Sequence, residues 1–268
     1  MTVPKGTSNA TTSPILRVEG LNKSFGAVHV LHDVDFAVYP GEVTALVGDN
    51  GAGKSTLVKC IAGINSIDTG QMYWEDKPVT IASPSVASSL GIEFVYQDLA
   101  LADNLDITQN MFLGRETRRG PFLSDGEMET KARETLRSLA VRTINSVRQP
   151  VASLSGGQRQ TVAIARAVLW NGKVVFLDEP TAALGVAQTR QVLDLVRRLA
   201  DNGIGVVLIS HNMNDVLEVA DRISVLYLGR CAAEVKRRET SLEQVVELIT
   251  TGRSGEIGLP TATAAQSA

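Results

Sequence analysis

At 268 residues, with 44 % apolar side chains, the chain can bury one large core. Twenty-six Lys and Arg stand against 29 Asp and Glu, a net charge of -3, which argues against a general nucleic-acid binder. No apolar run approaches the roughly 20 residues of a membrane span, and the two cysteines, Cys60 and Cys231, match neither a disulfide scaffold nor a metal spacing.

In chain order, residues 1–13 are polar and rich in Thr and Ser, and read as a tail without the apolar core of a secretory signal. Leu16 and Val18, then Val34, Phe36 and Val38, alternate with polar residues as half-buried strands do. Residues 43–47, 174–177, 206–209 and 223–226 are denser in apolar side chains and suit strands of a sheet covered on both faces. Met128, Ala132, Leu136 and Leu139 recur at helical spacing, with Ser124 and Glu127 placed for a capping box. A second helix reads from Val186, Thr189, Val192, Leu193, Val196 and Leu199. Residues 99–150 lack strong strand signals and read as a helical insertion. Residues 252–268 read as a second tail. Strands alternating with helices predict an α/β fold with a mostly parallel core.

Gly48-Asp49-Asn50-Gly51-Ala52-Gly53-Lys54-Ser55 fits the pattern G-x-x-x-x-G-K-[ST], after an apolar strand and before a helix beginning near Thr56. Glycines permit a backbone that turns several N–H groups to one concave side, where they and the helix N-terminus bind phosphate oxygens. Lys54 adds a positive charge near the β- and γ-phosphates, and the Ser55 hydroxyl can ligate Mg²⁺. Downstream, the strand 174–177 ends in Asp178 and Glu179. Asp178 is placed to hold Mg²⁺ and Glu179 to take a proton from the attacking water.

Leu154-Ser155-Gly156-Gly157-Gln158 then precedes the Asp178-Glu179 strand. With it the chain resembles the ABC ATPase family over residues 15–250. The resemblance implies a P-loop NTPase core of ABC ATPase type at 14–251, with an N-terminal antiparallel β subdomain and a helical subdomain inserted at about 99–160. It implies that Ser155, Gly156, Gly157 and Gln158 face the γ-phosphate of the nucleotide on a partner subunit, so that two copies pair around ATP and Mg²⁺. By the same resemblance Phe25 stacks on adenine. Gln97 touches Mg²⁺ or the water, and His211 contacts the γ-phosphate and steadies Glu179. One departure stands out: after Asp178-Glu179-Pro180-Thr181-Ala182-Ala183-Leu184, where the family usually has an Asp that reaches across the dimer, this chain has Gly185.

Gly91-Ile92-Glu93-Phe94-Val95-Tyr96-Gln97-Asp98-Leu99, Met111-Phe112-Leu113-Gly114-Arg115-Glu116 and the Leu184-Gly185 variant are similar to the monosaccharide-importer branch, of ribose, xylose and fructose type. That branch implies permease subunits in the membrane, a periplasmic sugar-binding protein, no nucleic acid, and a peripheral place on the cytoplasmic face of the inner membrane. Residues 99–112, with Leu99, Leu101, Leu105, Ile107, Met111 and Phe112, offer either an exposed patch for the permease or packing for the helical lobe. Two alternatives stand beside the importer: a soluble ABC ATPase of DNA repair or translation, and a nucleotide clamp with weak hydrolysis.

Overall fold

A computed structural model describes residues 13–170 and 172–259. Its centre is a six-stranded sheet in the order β12-β11-β3-β10-β9-β6. These strands are β3 (Val43–Gly48), β6 (Ile92–Val95), β9 (Val174–Asp178), β10 (Gly205–Ile209), β11 (Arg222–Tyr227) and β12 (Arg230–Lys236). All adjacent pairs are parallel except β11 with β12. The dense apolar runs become the strands buried on both faces, and the period of two sorts their side chains. From β9, Val174 and Phe176 enter one core and Val175 and Leu177 the other. From β10, Val207 and Ile209 join the first, Val206 and Leu208 the second. Burying a side chain such as Phe176, 1 % exposed, contributes about 1.5–3 kcal/mol.

Over the first face lie α1 (Lys54–Ile61), α2 (Pro84–Leu90) and an antiparallel sheet of order β2-β1-β4-β5. It is built from β1 (Leu16–Phe25), β2 (Val28–Val38), β4 (Thr69–Trp74) and β5 (Lys77–Val79), and its alternating strands bury Leu16, Val18, Val34, Phe36 and Val38. The opposite face is covered by α5 (Gly156–Leu169) and α6 (Val186–Asp201), against which pack α3 (Ile107–Phe112) and α4 (Asp125–Ser138). Between α3 and α4 runs a short hairpin of β7 (Arg118–Arg119) and β8 (Phe122–Leu123). A third cluster joins α7 (Met213–Val219) and α8 (Leu242–Thr251) to the β11 edge.

Several expectations are corrected. Residues 99–112 do not form an exposed patch. Ile107, Met111 and Phe112 are at most 1 % exposed, and Leu99 and Leu101 pack on the same core. Ser124 occupies the N-cap of α4 but its hydroxyl makes no capping hydrogen bond, so the capping box is not formed. Val186 opens α6 with its side chain outward, 77 % exposed, rather than in the buried stripe of Val192, Leu193, Val196 and Leu199. The C-terminal tail begins later than residue 252. Gly252, at φ +75°, caps α8 and turns the chain into a hairpin of β13 (Arg253–Ser254) and β14 (Ile257–Gly258). Ser254 is buried there and donates to Glu247 Oε2 at 2.7 Å. Residues 1–12 and 260–268, both expected as tails, lie outside the described residues.

Candidate active site

The C-terminal ends of β3, β9 and β10 open on one cavity of about 700 Å³. It is lined by Gly48, Asp49, Asn50, Gly51, Gly53, Lys54, Ser55 and Thr56 from the phosphate loop, with Gln97, Asp178, Glu179 and His211. Crevices beyond the carboxyl ends of the strands are where open α/β sheets bind ligands. Two glycines are required by the loop's shape. At Gly48, φ +153°, a Cβ would stand 2.3 Å from the Leu226 carbonyl oxygen. At Gly53, φ +104°, it would stand 2.7 Å from Leu31 Cδ2. Gly53 also leaves the first turn of α1 without a side-chain cap, so its unpaired N–H groups face the cavity, as an anion site needs.

Lys54 folds back over the loop, its Nζ donating to Gly48 O at 2.7 Å and Asp49 O at 3.0 Å. Partial burial lowers its pKa, against the opposing pull of Glu179, Asp49 and Asp178. Burial raises the Asp178 pKa, and the Glu179 charge raises it further, while Lys54 and Lys59 oppose the shift. Two carboxyl groups side by side near a lysine form a site short of positive charge, which a divalent cation would supply. The donors available, a hydroxyl at Ser55, an amide oxygen at Gln97 and the Asp178 carboxylate, are the hard oxygens Mg²⁺ prefers. Among the described residues no cluster of three or more His, Cys, Asp or Glu forms a metal cage. The residues thus fit a cation shared with phosphates.

Glu179 sits in the left-handed region at φ +48°, a conformation that costs a non-glycine residue about 1–3 kcal/mol and is typical of functional positions. Its backbone N–H donates to Ile209 O at 2.9 Å, which stitches the end of β9 to the end of β10. Its Oε1 accepts the His211 backbone N–H at 3.1 Å, and His211 Nδ1 lies 2.8 Å from the same oxygen. The His211 side chain is 78 % exposed, whereas that of Glu179 is 17 % exposed.

Not all the expected residues meet in this cavity. Ala52 is buried, 3 % exposed, in the core under the loop, with its N–H donating to Asp49 O and its carbonyl accepting from Gly229. Phe25 does not line it. It lies at the end of β1, 48 % exposed, with Lys23 Nζ 5.3 Å from its ring centroid. Ser155, Gly156, Gly157 and Gln158 lie outside it, at the start of α5. There Ser155 and Gln158 make a reciprocal capping box. Gln158 N–H donates to Ser155 Oγ at 3.4 Å, and Ser155 N–H to Gln158 Oε1 at 2.9 Å. Both glycines have a packing reason. A Cβ on Gly156 would come 3.1 Å from Leu184 Cδ2, and one on Gly157 would come 3.1 Å from Gln188 Cβ. Val30, Ala182 and Ile209 also line the cavity, though no motif marks them. A cavity of similar size, about 740 Å³, lies at the opposite end of the strands. Its Arg197 and Arg222 are paired with Asp221 and Glu42 at 2.7 Å each.

Comparison with known proteins identifies the family. A family model described as ABC transporter matches residues 31–182. The xylose/arabinose import ATP-binding protein XylG of Sulfolobus acidocaldarius is 46 % identical over 92 % of this chain and 98 % of its own length. The fructose import ATP-binding protein FrcA of Rhizobium meliloti is also 46 % identical, over 88 % and 94 %. A ribose import ATP-binding protein of Rubrobacter xylanophilus is 40 % identical over 92 % of this chain but 49 % of its own length. Among solved structures, a nucleotide-free ATP-binding cassette from an ABC transporter superposes with a TM-score of 0.76 at 28 % identity, covering 88 % of this chain and 98 % of that one. An ATP-binding cassette in its ADP conformation gives 0.77 at 29 %, covering 90 % and 96 %. The chain belongs to the ATP-binding domain family of ABC transporters. Within that family it is similar, over nearly its whole length and theirs, to sugar-import ATP-binding proteins.

Proposed function

We propose that the chain is the ATP-binding and hydrolysing subunit of a monosaccharide importer of the xylose, fructose and ribose class. It works as one half of a homodimer docked on membrane permease subunits, at the cytoplasmic face of the cell membrane. A periplasmic binding protein delivers the sugar. The observation that carries the reading is the meeting of the phosphate loop, Gln97, Asp178, Glu179 and His211 in one cavity while the Ser155 turn stands outside it. A chain arranged so holds the phosphates in its own loop and offers a second anion-binding turn to another copy. Val186, 77 % exposed beside that turn, supplies apolar surface for the contact. The sugar class rests on the relatives' names. The same names favour import over DNA repair or translation.

The chemistry follows from the side chains. The loop N–H groups and Lys54 bind and orient the phosphates, which requires Lys54 to exchange its two loop carbonyls for phosphate oxygens. Ser55, Asp178 and Gln97, which line the same cavity, would hold Mg²⁺, and the ion would neutralise phosphate charge. Glu179 accepts the proton of the attacking water. The His211 imidazole leaves Glu179 Oε1 to meet the γ-phosphate, while the His211 backbone N–H keeps its bond to that oxygen and holds the carboxylate in place for the water.

For the permease, the groove between core and helical lobe replaces the buried residues 99–112 as the docking place. Glu93, Phe94, Leu113, Arg115, Arg166 and Trp170 line a cleft of about 240 Å³ there, with Leu113 53 % exposed. Among the described residues no helix is long and apolar enough to cross a membrane. Lys54→Ala tests the nucleotide site. ATP binding weakens and turnover is lost, as read by a fluorescent ATP analogue and phosphate release. ATPase activity at the parent rate would reject the site.

A further inference from the structure

Behind the cavity lies a buried carboxyl group to which the mechanism above gives no part. Asp215, in the first turn of α7, is 5 % exposed. Its Oδ2 accepts the Thr181 hydroxyl at 2.6 Å and its Oδ1 accepts the Asn212 side-chain N–H at 3.0 Å. Thr181 is two residues beyond Glu179, and Asn212 is next to His211. The two segments that carry the Glu179–His211 pair are thus joined twice. In front they meet through Glu179 Oε1 and His211, and behind they are held to one carboxylate.

Buried polar groups cost stability unless partnered, and a carboxylate with two donors in fixed directions holds both donors in place. Within Pro180-Thr181-Ala182-Ala183-Leu184-Gly185, Thr181 is the only residue whose side chain can hydrogen-bond at all. The loop has no other polar side chain with which to fix itself, to its own subunit or to another copy. Its path is also demanding, with positive φ at Glu179 (+48°) and Ala183 (+61°).

We infer that Asp215 is a positioning residue for ATP hydrolysis: by clamping Thr181 and Asn212 it sets the relative placement of Glu179 and His211 and fixes the 180–185 loop from within its own subunit. The inference rests on the proposed role of Glu179. It concerns geometry at the reacting end only. The phosphate loop, which dominates nucleotide binding, is not hydrogen-bonded to Asp215, so loss of the clamp separates turnover from binding.

The test is steady-state Mg-ATP hydrolysis by the full-length chain, with fluorescent ATP-analogue binding and thermal melting, on Thr181→Val, Asp215→Ala and Asp215→Asn. Glu179→Gln is the reference. Thr181→Val removes one hydroxyl at nearly constant size and carries the test even where Asp215→Ala fails to fold. A small misplacement of catalytic groups costs about tenfold to a hundredfold in rate. Thr181→Val and Asp215→Ala are therefore expected to lose about tenfold or more in kcat, with KM and analogue affinity within about threefold of the parent. Asp215→Asn is expected to recover most of the rate, because its amide oxygen can accept from Asn212 and its amide N–H can donate to the Thr181 oxygen. Parental kcat in Thr181→Val, a loss confined to KM, or an Asp215→Asn as impaired as Asp215→Ala would each overturn the inference. Parental hydrolysis by Glu179→Gln would instead reject the proposed base, which keeps the two failures distinguishable.

Discussion

Gly185→Asp restores the side chain that the family usually has at this position, and the structure allows its effect on stability to be worked out beforehand. Gly185 is the N-cap of α6 at φ -74° and ψ 161°, an ordinary extended conformation, and no atom lies within 4 Å of a Cβ added there. Asp is among the best N-cap residues and Gly a weaker one, a difference of a few tenths of a kcal/mol. A carboxylate at the positive end of a 16-residue helix adds about 0.3–1 kcal/mol at an exposed site. Removing a glycine from the unfolded chain adds about 0.4–1 kcal/mol where the native angles suit the new residue. These contributions overlap, so the net expectation is about 1 kcal/mol, or about 2–4 °C in Tm for a domain of this size. Gly185→Ala sets the chain-entropy gain against a poorer N-cap, since Ala ranks below Gly there, and is expected to gain less. Differential scanning fluorimetry of the nucleotide-free proteins reads both. A Tm for Gly185→Asp at or below the parent would refute the assigned N-cap geometry.

Two further outcomes follow from the site. Phe25→Ala is expected to raise KM for ATP about tenfold, as aromatic–base stacking is worth about 1–3 kcal/mol, while leaving Tm within a degree or so because the ring is half exposed; an unchanged KM removes Phe25 from the adenine site. Asp178→Asn is expected to abolish turnover yet raise the Tm of the nucleotide-free protein at neutral pH. The folded-state pKa of Asp178 is raised by burial and by Glu179, so the folded protein holds that proton more tightly than the unfolded chain. The stability this confers is present at low pH and lost as pH rises through the folded pKa. The neutral amide avoids the loss, and the gain over the parent shrinks as pH falls; a gain that grows toward low pH would contradict the sign.

What the sequence announces, and what it does not, has a physical pattern. The strands around 174–177 and 206–209 are legible because a strand buried on both faces needs an unbroken apolar run. The phosphate loop is legible because Gly48 and Gly53 occupy positions a Cβ cannot share, so residue type and spacing are fixed together. By contrast, Ile107, Met111 and Phe112 have the same composition whether they face a partner or a core, and only the packing of α3 on α5 decides. Gly252 to Gly258 was unreadable because two-residue strands carry no periodicity. Asp215 could not be found either, since a clamp between segments 34 residues apart leaves no local spacing to read. The signature turn shows a third case. Its Ser and Gln serve as a capping box, and its glycines are demanded by Leu184 and Gln188, so the motif satisfies a structural need beside the anion-binding role proposed for it.

The central claim is that ATP joins two copies of the chain through the Ser155 turn and that Glu179 ends the union by hydrolysis. Size-exclusion chromatography with and without Mg-ATP tests it on Glu179→Gln and on Glu179→Gln combined with Ser155→Arg. General-base loss costs on the order of a hundredfold in rate, so the first variant keeps its nucleotide and elutes as a dimer only with Mg-ATP. The second binds ATP through the untouched phosphate loop and Lys54 but elutes as a monomer. An ATP-dependent dimer that survives Ser155→Arg would contradict the account.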